Sequence, residues 1–247
     1  MADRQNTYFL SDFHLGAKYI PDRMEQERTI TRFLDSIKDD ARDIYLLGDI
    51  LDYWYEYRYV VPRGYVRFFG KLAELSDMGI GIHWLIGNHD IWIFDYLPEE
   101  IGMEVTDGEK IVEIGGKTFF LAHGDGVGKR KLSFQLLRSL FRNRLCQKLY
   151  AAIHPRWTVP FALAWSHSSR SDDEYPEYLG EGKEYLEMFA RNYTGQQHID
   201  YFVFGHRHIM LDKETAKGSR ILILGDWIHF NSYAVFDGKE IKLRKYV

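Results

Sequence analysis

Tyr45-Leu46-Leu47-Gly48-Asp49, with Asp52 just beyond, is an unbroken apolar run that stops at a glycine and delivers a carboxylate. A run apolar at every position reads as a strand buried on both faces, the kind found inside parallel sheets. Four other stretches likewise end a strand-like apolar run and deliver Asp, His or Asn at the turn that follows: Tyr8-Phe9-Leu10-Ser11-Asp12-Phe13-His14, Trp84-Leu85-Ile86-Gly87-Asn88-His89-Asp90, Phe119-Phe120-Leu121-Ala122-His123-Gly124-Asp125 and Phe202-Val203-Phe204-Gly205-His206-Arg207-His208. Polar groups at the ends of such strands converge on one rim of the sheet, where ligands of open α/β sheets bind. Aspartate, histidine and asparagine gathered there, with no cysteine, suit a borderline-to-hard cation such as Mn²⁺, Fe²⁺ or Zn²⁺.

Taken singly, each segment has a plainer reading. Gly48-Asp49 alone is an ordinary turn pair, and a histidine on an apolar strand is commonly a hydrogen-bonded core residue. The combination is what carries weight. Five of the ten histidines fall in these segments. Asp12-x-His14 and His206-x-His208 each place two donors on one side of an extended chain, because strand side chains repeat every second residue. His83, on a strand, reads as a core residue, and His154, His167, His198 and His229 have no motif around them. Trp54, Tyr55 and Tyr57 read as packing or rim residues.

Outward from the opening stretch, strand and helix runs alternate through the first ninety residues. A polar helical stretch over 25–40 separates the first two strands, and another over 66–78 precedes the third. That is βαβαβ order, which favours parallel pairing with helical crossovers. Short strands are predicted over 110–114, 117–122, 200–204, 220–224, 233–236 and 240–246, with Gly115-Gly116 and Asp237-Gly238 as hairpin turns. The fold class is therefore α/β, with two packed sheets and outer helices. The chain of 247 residues is 45% hydrophobic and 28% charged, ordinary for one globular domain. The single cysteine, Cys146, excludes an internal disulfide and a cysteine zinc site. The N-terminus has no signal-peptide apolar region and no run is long enough to span a bilayer, so a cytoplasmic setting is expected.

The five blocks, in order, resemble the calcineurin-like metallophosphoesterases: Asp-x-His, Gly-Asp-x-x-Asp, Gly-Asn-His-Asp, a lone His, then Gly-His-x-His. The resemblance implies an αββα sandwich of two mixed sheets with flanking helices. It also implies two adjacent divalent ions, Mn²⁺ first, with Fe²⁺ or Zn²⁺ as alternatives. Asp12, His14 and His208 would hold one ion and Asn88, His123 and His206 the other, with Asp49 between them. Asp52 is read as support for these ligands, with helix capping as the plain alternative. An activated water would attack phosphorus in line. His89 would stabilise charge or protonate the leaving oxygen, and Asp90 would orient His89.

One segment departs from a simple crossover. Between Gly126 and Ser171 there is no Asp or Glu, while Lys129, Arg130, Lys131, Arg138, Arg142, Arg144, Lys148, Arg156 and Arg170 are basic. With a formal chain charge of −4, the remainder carries −13. Phe134, Leu137, Phe141, Leu145 and Leu149 fall at helical spacing, with Arg138, Arg142 and Lys148 off that stripe. A solvated helical hairpin is the plain reading. A basic amphipathic lid that touches an anionic membrane is the sharper one. Nucleic acid is the weaker reading, since the acidic remainder would repel a duplex.

This insert, with Asp-Phe-His-Leu-Gly near the start and Leu-Gly-Asp-Trp near the end, resembles the UDP-2,3-diacylglucosamine pyrophosphatase family of lipid A synthesis. Leu-Tyr-Ala-Ala-Ile-His-Pro-Arg-Trp and Ser-His-Ser-Ser-Arg-Ser resemble that family's inserted helix and serine-rich close. The chain departs at one point: it has Gly-Asn-His-Asp at 87–90 where well-known members have Gly-Asn-Arg-Asp. The resemblance implies a single domain over 1–247 with a helical insertion lid over about 126–195. It implies hydrolysis of a nucleotide-linked glycolipid to UMP and diacylglucosamine 1-phosphate on the cytosolic face of the inner membrane. Asn88, Arg130, Lys131, Ser168, Ser169 and Arg170 are the candidate substrate-binding residues. A generic soluble phosphodiesterase or phosphomonoesterase is the alternative. A non-enzymatic scaffold is the more distant one, because every ligand position is filled.

Overall fold

The computed structural model describes residues 4–128, 132–168 and 177–247. The predicted alternation is present: β1 (Asn6–Leu10), α1 (Arg23–Ser36), β2 (Ala41–Leu46), α2 (Val66–Asp77) and β3 (Gly81–Leu85). A short α3 (Tyr96–Ile101) and β4 (Glu104–Thr106) follow. The hairpin β5 (Lys110–Ile114) and β6 (Lys117–Ala122) comes next, then α4 (Leu132–Arg142), α5 (Arg144–Ala151), α6 (Pro155–Ser168) and α7 (Tyr185–Arg191). The chain closes with β7 (Tyr201–Phe204), β8 (Met210–Glu214), β9 (Arg220–Leu224), β10 (Ser232–Phe236) and β11 (Ile241–Lys245). α3, β4 and β8 are additions to the sequence reading.

Two mixed sheets result. One runs β11-β10-β1-β2-β3-β4, parallel from β1 to β4, with β10 antiparallel to β1. The other runs β5-β6-β7-β9-β8, parallel through β6, β7 and β9 and flanked by antiparallel edge strands. Phe9, Leu47, Leu85, Phe119, Leu121, Val203, Leu222 and Phe236 pack between the sheets. Burying one such large side chain contributes about 1.5–3 kcal/mol. The outer face of the first sheet packs on α1, α2 and α3 through Ile30, Phe33, Phe68, Leu72 and Leu97. The outer face of the second packs on α7 through Leu186 and Ala190. The layers are αββα. α7, which falls inside the expected insertion, therefore serves as the second sheet's own covering helix.

Two buried carboxylates hold helix starts that lack local caps. Glu27 on α1 accepts the Arg67 and Phe68 amides at the start of α2, at 3.0 and 3.2 Å. Glu56 accepts the Phe94, Asp95, Tyr96 and Leu97 amides around the start of α3. Each charge sits where the helix dipole and unpaired amides favour it.

The insert contains α4, α5 and α6. Its predicted apolar stripe does not form one packing face. Asn143 interrupts the helix and caps α5 by accepting the Leu145 and Cys146 amides. Phe141 turns inward onto Trp92, whereas Leu145 and Leu149 are 66% and 62% exposed. The side chains that dock the insert come from elsewhere on it: Tyr150, Val159, Ala162 and Leu163 pack on Tyr53, Tyr55, Ile86 and Trp92. Hydrogen bonds fix the register. Tyr53 Oη lies 3.0 Å from Tyr150 Oη, Tyr55 Oη donates to the Gln147 carbonyl at 2.7 Å, and Tyr57 Oη lies 2.6 Å from Thr158 Oγ1. Among the described residues, no helix is long and apolar enough to cross a membrane.

Candidate metal centre

All seven expected ligands meet at one rim, in the turns that leave β1, β2, β3, β6 and β7. The glycines make the close approach possible. A Cβ on Gly48 would lie 2.7 Å from the Gly87 backbone and 2.8 Å from the His123 ring, and Gly48 has φ +81°. A Cβ on Gly87 would lie 2.3 Å from an Asp49 carboxylate oxygen. Five of the seven ligands hold a left-handed backbone: Asp12, His14, Asp49, His206 and His208, with φ between 47° and 67°. Asp and His tolerate that region better than most residues, and the geometry turns each side chain back over the strand ends.

Two donor groups sit side by side. Asp12, His14 and His208 offer ligand atoms within 4.8 Å of one another, and so do Asp49, His123 and His206. Asn88 Oδ1 joins the second group, 3.2 Å from His123 Nε2. Asp49 lies between: its Oδ2 is 3.6 Å from His14 Nε2 and 3.3 Å from His123 Nε2. A third overlapping group, His14, Asp49 and His89, shares two of these residues.

The residues present fit bound cations. Asp12 Oδ1 is buried and makes no hydrogen bond, and it faces His14 Nε2 at 3.7 Å and His208 Nε2 at 3.3 Å. A buried anionic oxygen without a partner is costly unless a cation meets it. The second nitrogens are spoken for. His123 Nδ1 donates to the Leu47 carbonyl at 2.8 Å, which leaves Nε2 to face inward. His208 Nδ1 is held by Asp226 Oδ2 at 3.0 Å. Such outer partners fix ring orientation and tautomer in metal sites.

The electrostatics have the same sense. Burial pushes the Asp12 carboxyl up from its ordinary range. Burial also acts to raise Asp49, but the charges of His123 and His89 outweigh it and hold this carboxyl well below the usual range. Burial opposes a charge on His123, yet Asp49 beside it wins and pushes the imidazole up to about 10. Without cations, Asp49 draws a proton onto the His123 ring, so the cluster takes positive charge from that source.

Asp52 lies behind the expected ligands: its Oδ1 is 3.4 Å from His14 Nδ1. Asp90 corrects the sequence reading. It is fully buried and does not touch the His89 ring. Its carboxylate accepts the Gly87 and Ile50 amides at 2.7 and 2.9 Å and Trp84 Nε1 at 3.2 Å. Its position in the chain points it down into the turn, so it shapes the 87–90 loop. His89 is oriented from elsewhere: Nδ1 lies 3.2 Å from the Asp52 carbonyl and 3.2 Å from Ser166 Oγ.

Two participants escaped the sequence reading. Asp226 follows the apolar run of β9 and Gly225, the same pattern that flagged Asp49, and it also holds His229 Nδ1 at 3.0 Å. His229 thus has a role that its lack of motif concealed. His83 is not a core residue: it stacks on Tyr45 at the sheet surface between Asp43 and Glu104. Arg130, Lys131, Ser169 and Arg170 lie outside the described residues, as does the side chain of Ser168.

The insert stands beside this rim. A cavity of about 180 Å³ opens next to His123, between the 107–109 turn and α4. Arg138 and Arg142 cross it to Asp125 and Asp107, at 3.1 and 3.0 Å, so these two basic residues face the body and not the solvent.

Comparison with known proteins agrees with the geometry. The calcineurin-like phosphoesterase family matches residues 6–210. A Porphyromonas gingivalis protein named UDP-2,3-diacylglucosamine hydrolase is 45% identical, over 97% of each chain. A Shewanella baltica protein of the same name is 25% identical, over 96% of each. Among solved structures, a phosphoesterase from E. coli aligns with a TM-score of 0.46 and 14% identity, covering 94% of this chain and 88% of that one. The chain belongs to the calcineurin-like phosphoesterase family.

Proposed function

We propose that this member of the calcineurin-like phosphoesterase family hydrolyses the diphosphate of UDP-2,3-diacylglucosamine, giving UMP and 2,3-diacylglucosamine 1-phosphate for lipid A synthesis. The observation that carries the reading is the apolar insert docked beside a donor cluster able to hold metal ions. The relatives' name supports the same substrate. In this reading Asp12, His14 and His208 would hold one divalent ion, Mn²⁺ first, and Asn88, His123 and His206 would hold the second, with Asp49 placed to serve both donor groups. The bound ions supply Lewis acidity and lower the pKa of water.

The chain's own residues do the rest. The tyrosine ladder at 53, 55 and 57 anchors the insert so that acyl chains can lie along it. His89 faces the cleft and serves the leaving oxygen. Arg130, Lys131, Ser168, Ser169 and Arg170 are the proposed phosphate donors of the insert. The enzyme sits on the cytosolic face of the inner membrane. Supporting this, Trp157 and Phe161 on α6 are 69% and 64% exposed, Arg156 lies over the Trp157 ring, and Arg144 and Lys148 on α5 are exposed as well. An apolar, basic surface suits anionic lipid.

The test is to compare Mn²⁺-loaded protein on UDP-2,3-diacylglucosamine, on UDP-glucosamine and on diphenyl phosphate. The lipid should be preferred by a large factor in kcat/KM. Equal rates on all three would favour a generic phosphodiesterase. His89→Ala should cost about 10²–10⁴ in turnover on poor leaving groups, and less on p-nitrophenyl esters, which leave without a proton.

A further inference from the structure

Ser166 is a buried polar residue near the end of α6, and it reaches into the site. Its hydroxyl donates to Asp52 Oδ2 at 3.0 Å and lies 3.2 Å from His89 Nδ1. The Asp52 carbonyl lies 3.2 Å from the same Nδ1. A carbonyl only accepts, so Nδ1 carries the hydrogen and shares it with Ser166 Oγ. That leaves His89 Nε2 turned into the cleft, 3.9 Å from Asp49 Oδ2. Asp52 in turn holds His14 Nδ1 at 3.4 Å. One hydroxyl from α6 therefore braces two rings of the centre, one directly and one through a carboxylate.

We propose that Ser166 is the positioning residue through which the insert sets the orientation of His89. α6 then completes the active site as well as covering it, and a chain with histidine at position 89 has its partner supplied by the lid. The proposal rests on the reading of His89 as the group that serves the leaving oxygen, a role in which Nε2 carries a second ring proton, drawn from solvent, while Nδ1–H stays held. A serine that merely packs α6 would affect docking but not act through His89, and a double-mutant cycle separates the two.

The experiment measures kcat for the parent, Ser166→Ala, Ser166→Thr, His89→Ala and the Ser166→Ala/His89→Ala pair, on UDP-2,3-diacylglucosamine and on diphenyl phosphate. It also records the ring ¹⁵N spectrum of the Zn²⁺-loaded proteins, with His89 assigned from the His89→Ala sample. Ser166→Ala should lower kcat about tenfold, the scale of one hydrogen bond, while KM stays near the parent's. Ser166→Thr, which keeps the hydroxyl, should recover most of it. In the His89→Ala background the loss should shrink to about twofold or less, the signature of residues acting as a unit. The ring spectrum should show Nδ1 of His89 protonated in both proteins, because the Asp52 carbonyl holds it, with the His89 ring resonances shifted and broadened in Ser166→Ala, where the ring has lost one of its two restraints. An equal loss in both backgrounds, or an unchanged His89 spectrum in Ser166→Ala, overturns the proposal. Hydrolysis of diphenyl phosphate without the UDP-lipid would defeat the substrate assignment alone, and the cycle would be read on the diester. Inactivity on both would defeat the enzymatic reading, and the ring spectrum would decide Ser166.

Discussion

Neutralising the exposed cations of the insert should release the protein from anionic vesicles without harming its chemistry. The choice of residues follows from the ion pairs. Arg138 and Arg142 are committed to Asp125 and Asp107, so replacing them would loosen α4 and test the wrong surface. Arg144, Lys148 and Arg156 are exposed, and Arg144 and Lys148 share one face of α5 at i, i+4. Each basic residue near an anionic leaflet is worth about 1 kcal/mol. The Arg144→Gln/Lys148→Gln/Arg156→Gln protein should therefore lose about 3 kcal/mol of membrane affinity, roughly a hundredfold in partition. The assay is sedimentation with vesicles containing phosphatidylglycerol, at low and high salt. The parent's advantage should fade as the screening length contracts from about 10 Å at 0.1 M to about 3 Å at 1 M. Leu145→Ser/Leu149→Ser should weaken binding at every salt concentration, because apolar burial is not screened. Hydrolysis of a short soluble diester should match the parent's in both variants. Binding of the triple variant within twofold of the parent at low salt would refute the membrane-facing assignment of this surface.

Asp49→Ala should leave neither ion at full occupancy by elemental analysis, since this carboxylate reaches both donor groups. Asp226→Asn should cost about 10–100-fold in metal affinity, the usual scale for an outer partner, with isothermal titration as the check. In metal-free protein, burial and the Asp49 charge push the Asp90 carboxyl up to about 6. Its protonated form is favoured on folding, so this contribution is intact below pH 4 and lost as pH rises through about 6. Relative to Asp90→Asn, the metal-free parent should lose up to about 3 kcal/mol of urea-unfolding stability between pH 4 and pH 7. A pH-independent difference between the two would show that Asp90 ionises freely.

The donor rim was legible because five apolar runs each stop at a turn rich in donors, and the two packed sheets follow from the same runs. The short elements were not. β4 has three residues and α3 has six, too few periods for a pattern to register. β8 reads Met-Leu-Asp-Lys-Glu, an edge strand whose charges look like a loop. The insert misled for another reason. Helical spacing counts residues through Asn143 as though the helix ran on, but the cap there resets the phase, and Leu145 and Leu149 swing outward. Asp226 carried the Gly-Asp signal after an apolar run, with His229 three residues on as Asp52 follows Asp49, but it was read only as part of a family resemblance. Ser166 was marked only as the first residue of a family-like serine-rich stretch, and nothing there pointed to its partners Asp52 and His89, more than seventy residues away. Asp90 was misread because adjacency in sequence was taken for adjacency in space. In a tight turn, neighbouring side chains point apart.

The left-handed backbone at Asp12, His14, Asp49, His206 and His208 has a consequence for anyone who would make this protein hardier. Such conformations cost about 1 kcal/mol or more each for residues with a Cβ, and glycine adopts them freely. A search for heat-tolerant variants that scores only the folded, metal-free chain will be drawn to replace these five residues, and each success will dismantle the centre. The sites that offer the greatest relief of strain are the ones that cannot be given up, so resilience has to be sought elsewhere, in the helices and hairpins that lie far from the rim.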